Sequence, residues 1–172
     1  NYSDEFYGLT TMRTGIEKSR NLMTIRLANK IGVDTILSTA RDFKIAKYLD
    51  KNMSMSLGSG LVTLIDLANA YGIIANGGRE IKPNIIKSIY SRKGIKILDN
   101  SNKFCNNCKL EMINNNSKLP EINNTAKEVL DPKIAYQITS MMEGVIQRGT
   151  ARNLKDLKIP LAGKTGTTND NK

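Results

Sequence analysis

The sequence predicts an α+β fold, with helices through most of the chain and a few strands towards its end. Three observations carry that prediction. Apolar residues recur at helical spacing in several segments that open on polar capping residues. Two short β-rich runs flank Ser91-Arg92-Lys93-Gly94, the pattern of a hairpin with a glycine-containing turn. No internal repeat is visible, which excludes a solenoid.

Residues 10–18 have mixed helical spacing, Ser19-Arg20-Asn21 interrupts it, and Leu22, Ile25, Leu27, Ala28 and Ile31 resume it until Gly32. The reading is helix, short polar loop, helix. Asp34 is the expected cap of a further short helix through Ala40. Thr63, three residues before Asp66, resembles a capping box and opens a helix over 64–76 that Gly77-Gly78 ends. Residues 85–90 and 95–98 form the arms of the hairpin.

Residues 99–128 are Asn-rich with little periodicity and read as a loop or an insertion. Asp131-Pro132 then offers an N-cap followed by proline at the first helical position. Ile134, Ala135, Ile138, Met141, Met142, Val145 and Ile146 continue as one apolar face that stops at Gly149. A short helix is expected over 150–154, and Pro160 suits the start of an edge strand that leads into Lys164.

At 172 residues and 40% apolar content the chain makes one domain, or a large part of a bigger one, with a real core. Lys and Arg number 26 against 16 Asp and Glu, a formal charge of +10. The basic residues are scattered singly and aromatics make up only 5%, which gives few platforms for stacking bases. Nucleic acid is therefore not an expected partner; an anionic membrane surface or wall polymer accounts for the charge.

Histidine is absent, which removes Ser-His-Asp and Cys-His catalysis and histidine-ligated zinc. Cys105 and Cys108 form one Cys-x-x-Cys in a polar stretch, with no second pair to complete a tetrahedral metal site. No metal or cofactor is expected, and the pair reads as a local disulfide or two idle thiols. No run is long and apolar enough to span a bilayer, and Asn1-Tyr2-Ser3-Asp4 begins no signal pattern.

Lys164-Thr165-Gly166-Thr167 places a cation, two hydroxyls on one face of an extended chain and a glycine that lets another chain approach. That set suits a carboxylate substrate, although taken alone it reads more readily as an ordinary turn. Ser19-x-Asn21 alone is no more than a pair of caps between helices.

Context raises both. The run from Arg13 to Thr24, Arg-Thr-Gly-Ile-Glu-Lys-Ser-Arg-Asn-Leu-Met-Thr, closely resembles the second active-site motif of class A penicillin-binding proteins. Three more stretches match that family in order. They are 58–78, with its Gly-x-Gly-x-x-Thr start and Ala-Asn-Gly-Gly finish; Met142-Glu143-Gly144-Val145 through Gly149-Thr150-Ala151; and Ala162-Gly163-Lys164-Thr165-Gly166-Thr167-Thr168-Asn169-Asp170.

The resemblance implies a partial serine β-lactamase/penicillin-binding transpeptidase fold, a helical subdomain plus part of an antiparallel sheet. It implies acyl transfer from D-Ala-D-Ala donors to the amine of a neighbouring stem peptide, with β-lactams as covalent inhibitors. Ser19, Asn21 and Lys164 are then catalytic, and Thr165, Gly166 and Thr167 bind substrate. Ser19 relays a proton, Asn21 orients the substrate amide, Lys164 supplies positive potential, and the Thr167 N–H serves the oxyanion hole.

The family's nucleophile lies in a Ser-x-x-Lys motif, and no serine here is followed three residues on by lysine. The expectation is a transpeptidase domain cut at both ends. A glycosyltransferase domain and a membrane anchor lie upstream in the family, with stem peptides and lipid-linked precursors as partners. The place is the outer side of the cytoplasmic membrane, a milieu that permits a Cys105–Cys108 bridge. Rival readings within the fold are a serine β-lactamase or D,D-carboxypeptidase, and a non-catalytic penicillin-binding sensor or scaffold.

Overall fold

A computed structural model describes residues 7–45, 47, 49–100 and 126–166, together with the backbone of Cys105–Asn106 and Glu121–Ile122. The chain divides into two units, Asn1–Ile81 with Glu128–Lys172, and Lys82–Lys127. The first unit carries helices α1 (Met12–Glu17), α2 (Asn21–Ile31), α3 (Val33–Asp42), α4 (Leu64–Ala75) and α5 (Pro132–Gln147). Two 3₁₀ helices, Met53–Leu57 and Arg152–Leu157, complete it.

Helices α1, α4 and α5 start where a side chain satisfies one of their first N–H groups. Thr11 Oγ1 accepts from the Thr14 N–H at 3.2 Å, and Asp131 Oδ1 accepts from the Lys133 N–H at 2.7 Å beside Pro132. Thr63 Oγ1 accepts from the Asp66 N–H at 3.2 Å and donates to the Asp66 carboxylate at 2.6 Å, the expected opening of α4. The expected cap at Asp34 is corrected. Gly32, at φ +84°, ends α2 and caps α3 in one residue, which leaves Asp34 inside the first turn. Its carboxylate pairs with Lys51 at 2.7 Å.

Three helices end in the same way, with the residue after the C-cap left-handed and two N–H groups turned back onto the last carbonyls. Gly77 does this for α4, its N–H on Ile74 O at 3.1 Å and that of Gly78 on Ile73 O at 2.9 Å. Lys44 does it for α3 and Ser19 for α1, although neither is glycine.

Two apolar clusters hold this unit together. Phe43, Ala70 and Ile73 are buried together, with Ile45, Ile74, Val129 and Leu130 packed around them. Val145, Ile146 and Ala151 form the second, with Ile16 from α1 and Leu161 against it. Burial of several such side chains, at about 25 cal/mol per Å² of apolar area, is what fixes α1 to α5. The strand expected from Pro160 is not formed in the described residues. A ladder needs a neighbouring strand for its N–H and C=O groups, and none pairs with 158–166 there.

In the second unit, β1 (Ser88–Tyr90) and β2 (Lys96–Asp99) pair antiparallel, with Ser88 opposite Asp99 and an irregularity between Ile89 and Tyr90. The expected turn is present. The Gly94 N–H reaches Ser91 O at 3.0 Å with Gly94 at φ +76°. Within the stretch read as a loop, β3 (Cys105–Asn106) pairs with β4 (Glu121–Ile122). The proposed Cys105–Cys108 pairing lies outside the described residues.

Candidate active site

Ser19 lies one residue beyond the cap of α1. The Ser19 N–H reaches Ile16 O at 3.2 Å and the Arg20 N–H reaches Gly15 O at 2.9 Å, which holds Ser19 at φ +52°. A side chain in that conformation is strained, at a cost of about 1–2 kcal/mol. Asn21 opens α2 directly afterwards.

Lys164 arrives from the other end of the chain. Leu161 packs on the Val145, Ile146 and Ala151 cluster, and the Gly163 N–H donates to Met142 O at 3.3 Å, so the extended segment is tied to α5 just before Lys164. Ile16, three residues before Ser19, packs on the same cluster. One patch of core thus sets both residues.

The outcome is a direct bond. Lys164 Nζ donates to Ser19 Oγ at 2.7 Å and to Thr165 O at 2.9 Å. Because Lys164 has only donors, Ser19 Oγ must accept, and its own proton is left for another partner. Partial removal of water from the Lys164 ammonium lowers its pKa below the ordinary 10.5. Thr165 Oγ1 lies 2.6 Å from Thr150 Oγ1.

A buried acid stands behind Ser19. Glu17 is 6% exposed, and Arg148 forks onto it, Nη2 to Oε1 at 2.5 Å and Nε to Oε2 at 3.3 Å. That hydrogen bond holds the Arg148 pKa above its ordinary value. Arg13 Nη1 stands 3.9 Å from Oε1 and donates to Ser140 O at 3.0 Å, while Arg13 Nη2 donates to Ser140 Oγ at 3.2 Å. Lys18 Nζ donates to Arg148 O at 2.8 Å, where the carbonyls ending α5 lack helical partners. The Arg20 guanidinium, in the middle of Ser-x-Asn, sits over the Tyr7 ring, 3.2 Å from its centroid.

Of the residues expected from the sequence, Ser19, Lys164 and Thr165 come together. Asn21 is exposed, and no hydrogen bond joins it to Ser19 or Lys164 among the described residues. Gly166 is exposed, with open space where a Cβ would stand, and Thr167 lies outside the described residues. Glu17, Arg148 and Thr150 were not singled out by sequence reasoning. The available signal was Gly144, a gap in the apolar face of α5 where a Cβ would run into the Glu17 carboxylate, and Gly149 just past that helix, where a Cβ would meet Glu17 O. An apolar groove lined by Ile31, Ile36, Phe43 and Ile45 lies elsewhere and includes none of these residues. Among the described residues no group of His, Cys, Asp and Glu could hold a metal, and no helix is long and apolar enough to cross a membrane.

A serine in the turn between two helices, bonded to the lysine of a Lys-Thr-Gly segment within the helical unit, is an arrangement suited to serine acyl transfer. Residues 1–172 match the family described as the penicillin binding protein transpeptidase domain, and the chain belongs to that family. The individual likenesses point to one kind of member. Penicillin-binding protein 1A of Rickettsia bellii is 43% identical over all of this chain, which covers 22% of that protein. Penicillin-binding protein 1A of Pseudomonas aeruginosa is 30% identical, again over all of the chain and 25% of the relative. The crystal structure of penicillin-binding protein 1A from Haemophilus influenzae superposes with a TM-score of 0.81 at 25% identity, over 98% of this chain and 28% of that one. The chain therefore spans 22% to 28% of the length of these relatives, and its fold is part of the penicillin-binding transpeptidase fold.

Proposed function

We propose that this chain is part of the transpeptidase domain of a bifunctional peptidoglycan synthase, and that it serves D,D-transpeptidation of stem peptides. The observation that supports this best is the 2.7 Å bond from Lys164 to Ser19, which joins two family motifs 145 residues apart. The nucleophilic serine belongs to the family's Ser-x-x-Lys motif, which this sequence does not contain.

In this reading the nucleophile adds to the carbonyl of the D-Ala-D-Ala bond, the C–N bond breaks, and D-alanine leaves as its amine takes a proton. Ser19 relays that proton: its own passes to the nitrogen and is replaced by the one that the nucleophile's hydroxyl gave to the lysine of the Ser-x-x-Lys motif. The Ser19 oxygen accepts from Lys164, so its O–H is free to point at the leaving nitrogen. Lys164 adds positive potential for the donor carboxylate, which the hydroxyls of Thr165 and Thr167 bind. The Thr167 N–H gives one oxyanion donor. Asn21 orients the substrate amide. The amine of a second stem peptide then attacks the acyl-ester and frees the serine. β-Lactams enter as the donor does and remain as the ester. The domain works on the outer side of the cytoplasmic membrane, beside a glycosyltransferase domain that handles lipid-linked precursors.

Labelling of the full-length protein with a fluorescent penicillin, beside Lys164→Ala, tests this. A covalent band that weakens strongly in the variant is expected; no band on folded protein overturns the proposal in favour of a non-catalytic homologue. Release of D-alanine with no cross-linked product would instead assign a carboxypeptidase. These 172 residues alone, which lack the Ser-x-x-Lys motif, are expected to form no covalent penicillin adduct, and a penicilloyl adduct on them by mass spectrometry would contradict that.

A further inference from the structure

We infer that Thr150 is a positioning residue for the acyl donor, its hydroxyl orienting that of Thr165 towards the donor's carboxylate. The inference rests on the function proposed above and extends it to a residue outside the Ser-x-Asn and Lys-Thr-Gly motifs.

The backbone around Thr150 is held on every side. Its N–H donates to Glu17 O at 3.1 Å, the Ala151 N–H donates to Val145 O at 3.1 Å, and Ala151 is buried at 7% exposure. Glu17 is in turn clamped by Arg148. Gly149, just before, has no room for a Cβ against Glu17 O and Val145. Against that fixed frame the Thr150 side chain is exposed, and it meets Thr165 Oγ1 at 2.6 Å across 15 residues. An exposed hydroxyl on so constrained a backbone contributes little to the core; its contact is with the motif.

Proton counting gives the direction of that bond. A hydroxyl has one proton and two lone pairs, whereas a carboxylate only accepts. When Thr165 binds the donor's carboxylate it uses its single proton there. The bond to Thr150 must then run from Thr150 to Thr165, and Thr150 donates. Two hydroxyls in line polarise one another, which strengthens the bond to the charged end. The side chain at position 150 thus selects the rotamer of Thr165 and leaves its proton facing substrate.

The test uses the full-length protein, with benzylpenicillin and its carboxylate methyl ester as probes, and separates binding from the acylation step. Thr150→Val keeps the shape and removes the hydroxyl. It is expected to weaken benzylpenicillin binding about fivefold to tenfold, with the acylation step within about twofold of wild type. Thr150→Ser keeps the donor and restores binding. The methyl ester has no carboxylate, so wild type and Thr150→Val bind it alike. Thr165→Val costs less in the Thr150→Val background than in wild type, because the two hydroxyls act on the carboxylate as one linked pair. An unchanged Thr150→Val, or an equal loss on benzylpenicillin and its ester, overturns the inference while the proposed function stands. A wild-type protein that is not acylated overturns both.

Discussion

Arg148, at the end of α5, closes a two-pronged hydrogen bond on the carboxylate of Glu17, 131 residues earlier in the chain and two residues before Ser19. The carboxylate is the buried partner, with its side chain 8% exposed against 58% for Arg148. The pair therefore ties the serine turn to the helix whose core cluster carries Leu161 and, beyond it, Lys164. It gives a structural reason why two motifs at opposite ends of the chain meet at hydrogen-bonding distance.

That asymmetry of burial makes the two halves of the pair unequal. Arg148→Ala leaves a carboxylate in the interior with only Arg13 near it, at 3.9 Å, and an unpaired buried charge is costly. Glu17→Gln keeps the volume, removes the charge, and lets Arg148 turn to solvent. The expected order of urea midpoints is wild type, then Glu17→Gln, then Arg148→Ala. The reverse order of the two variants would show that the carboxylate is hydrated after all.

Gly149→Ala tests the contact between α5 and α1. The added methyl meets Glu17 O and the backbone of Val145, neither of which can swing aside as a side-chain tip can. Overpacking of this kind costs about 1–3 kcal/mol. Since Glu17 O is also the acceptor for Thr150, penicillin acylation should fall with stability. A variant with wild-type melting and wild-type acylation would refute the close approach.

Ser19 holds a place that helix ends usually give to glycine, as the ending of α4 does with Gly77. The strain is retained where a hydroxyl is needed, a pattern found at functional sites. Ser19→Gly should be about 1 kcal/mol more stable than Ser19→Ala, since only glycine relieves the left-handed backbone. Both variants should lose penicillin acylation to the same low level. Equal stability of the two, by thermal or urea unfolding, would remove the strain argument.

Much of the frame is legible in the sequence. Asp131-Pro132 and the apolar positions from Ile134 to Ile146 suffice for α5, because cap and periodicity are local properties. Ser19 and Lys164 were legible as a site through the resemblance of their motifs. What local reasoning misses depends on distant partners. Asp34 is a better cap than glycine by propensity, but Gly32 takes the turn because α3 follows α2 without a loop. Residues 158–166 have the composition of a strand, yet strand pairing is decided by a neighbour. Glu17 looks like one more solvated charge until Arg148 and the space left by Gly144 are seen around it.

The lowered pKa of Lys164 sets an alkaline boundary. Desolvation disfavours its charged form, so between the folded value and the ordinary 10.5 the unfolded chain holds a proton that the folded chain has released. Over that window stability rises with pH, and below the folded pKa the full cost of the partly desolvated ammonium is present. Activity runs the other way. Once neutral, Lys164 no longer supplies positive potential to the donor carboxylate, so penicillin acylation should begin to fall before pH 10.5. Lys164→Arg keeps its charge throughout. Whatever its absolute rate, its alkaline limb should move to higher pH. If acylation profiles of wild type and Lys164→Arg share the same alkaline limb, another group sets it, and Lys164 does not titrate in the step that binds the donor.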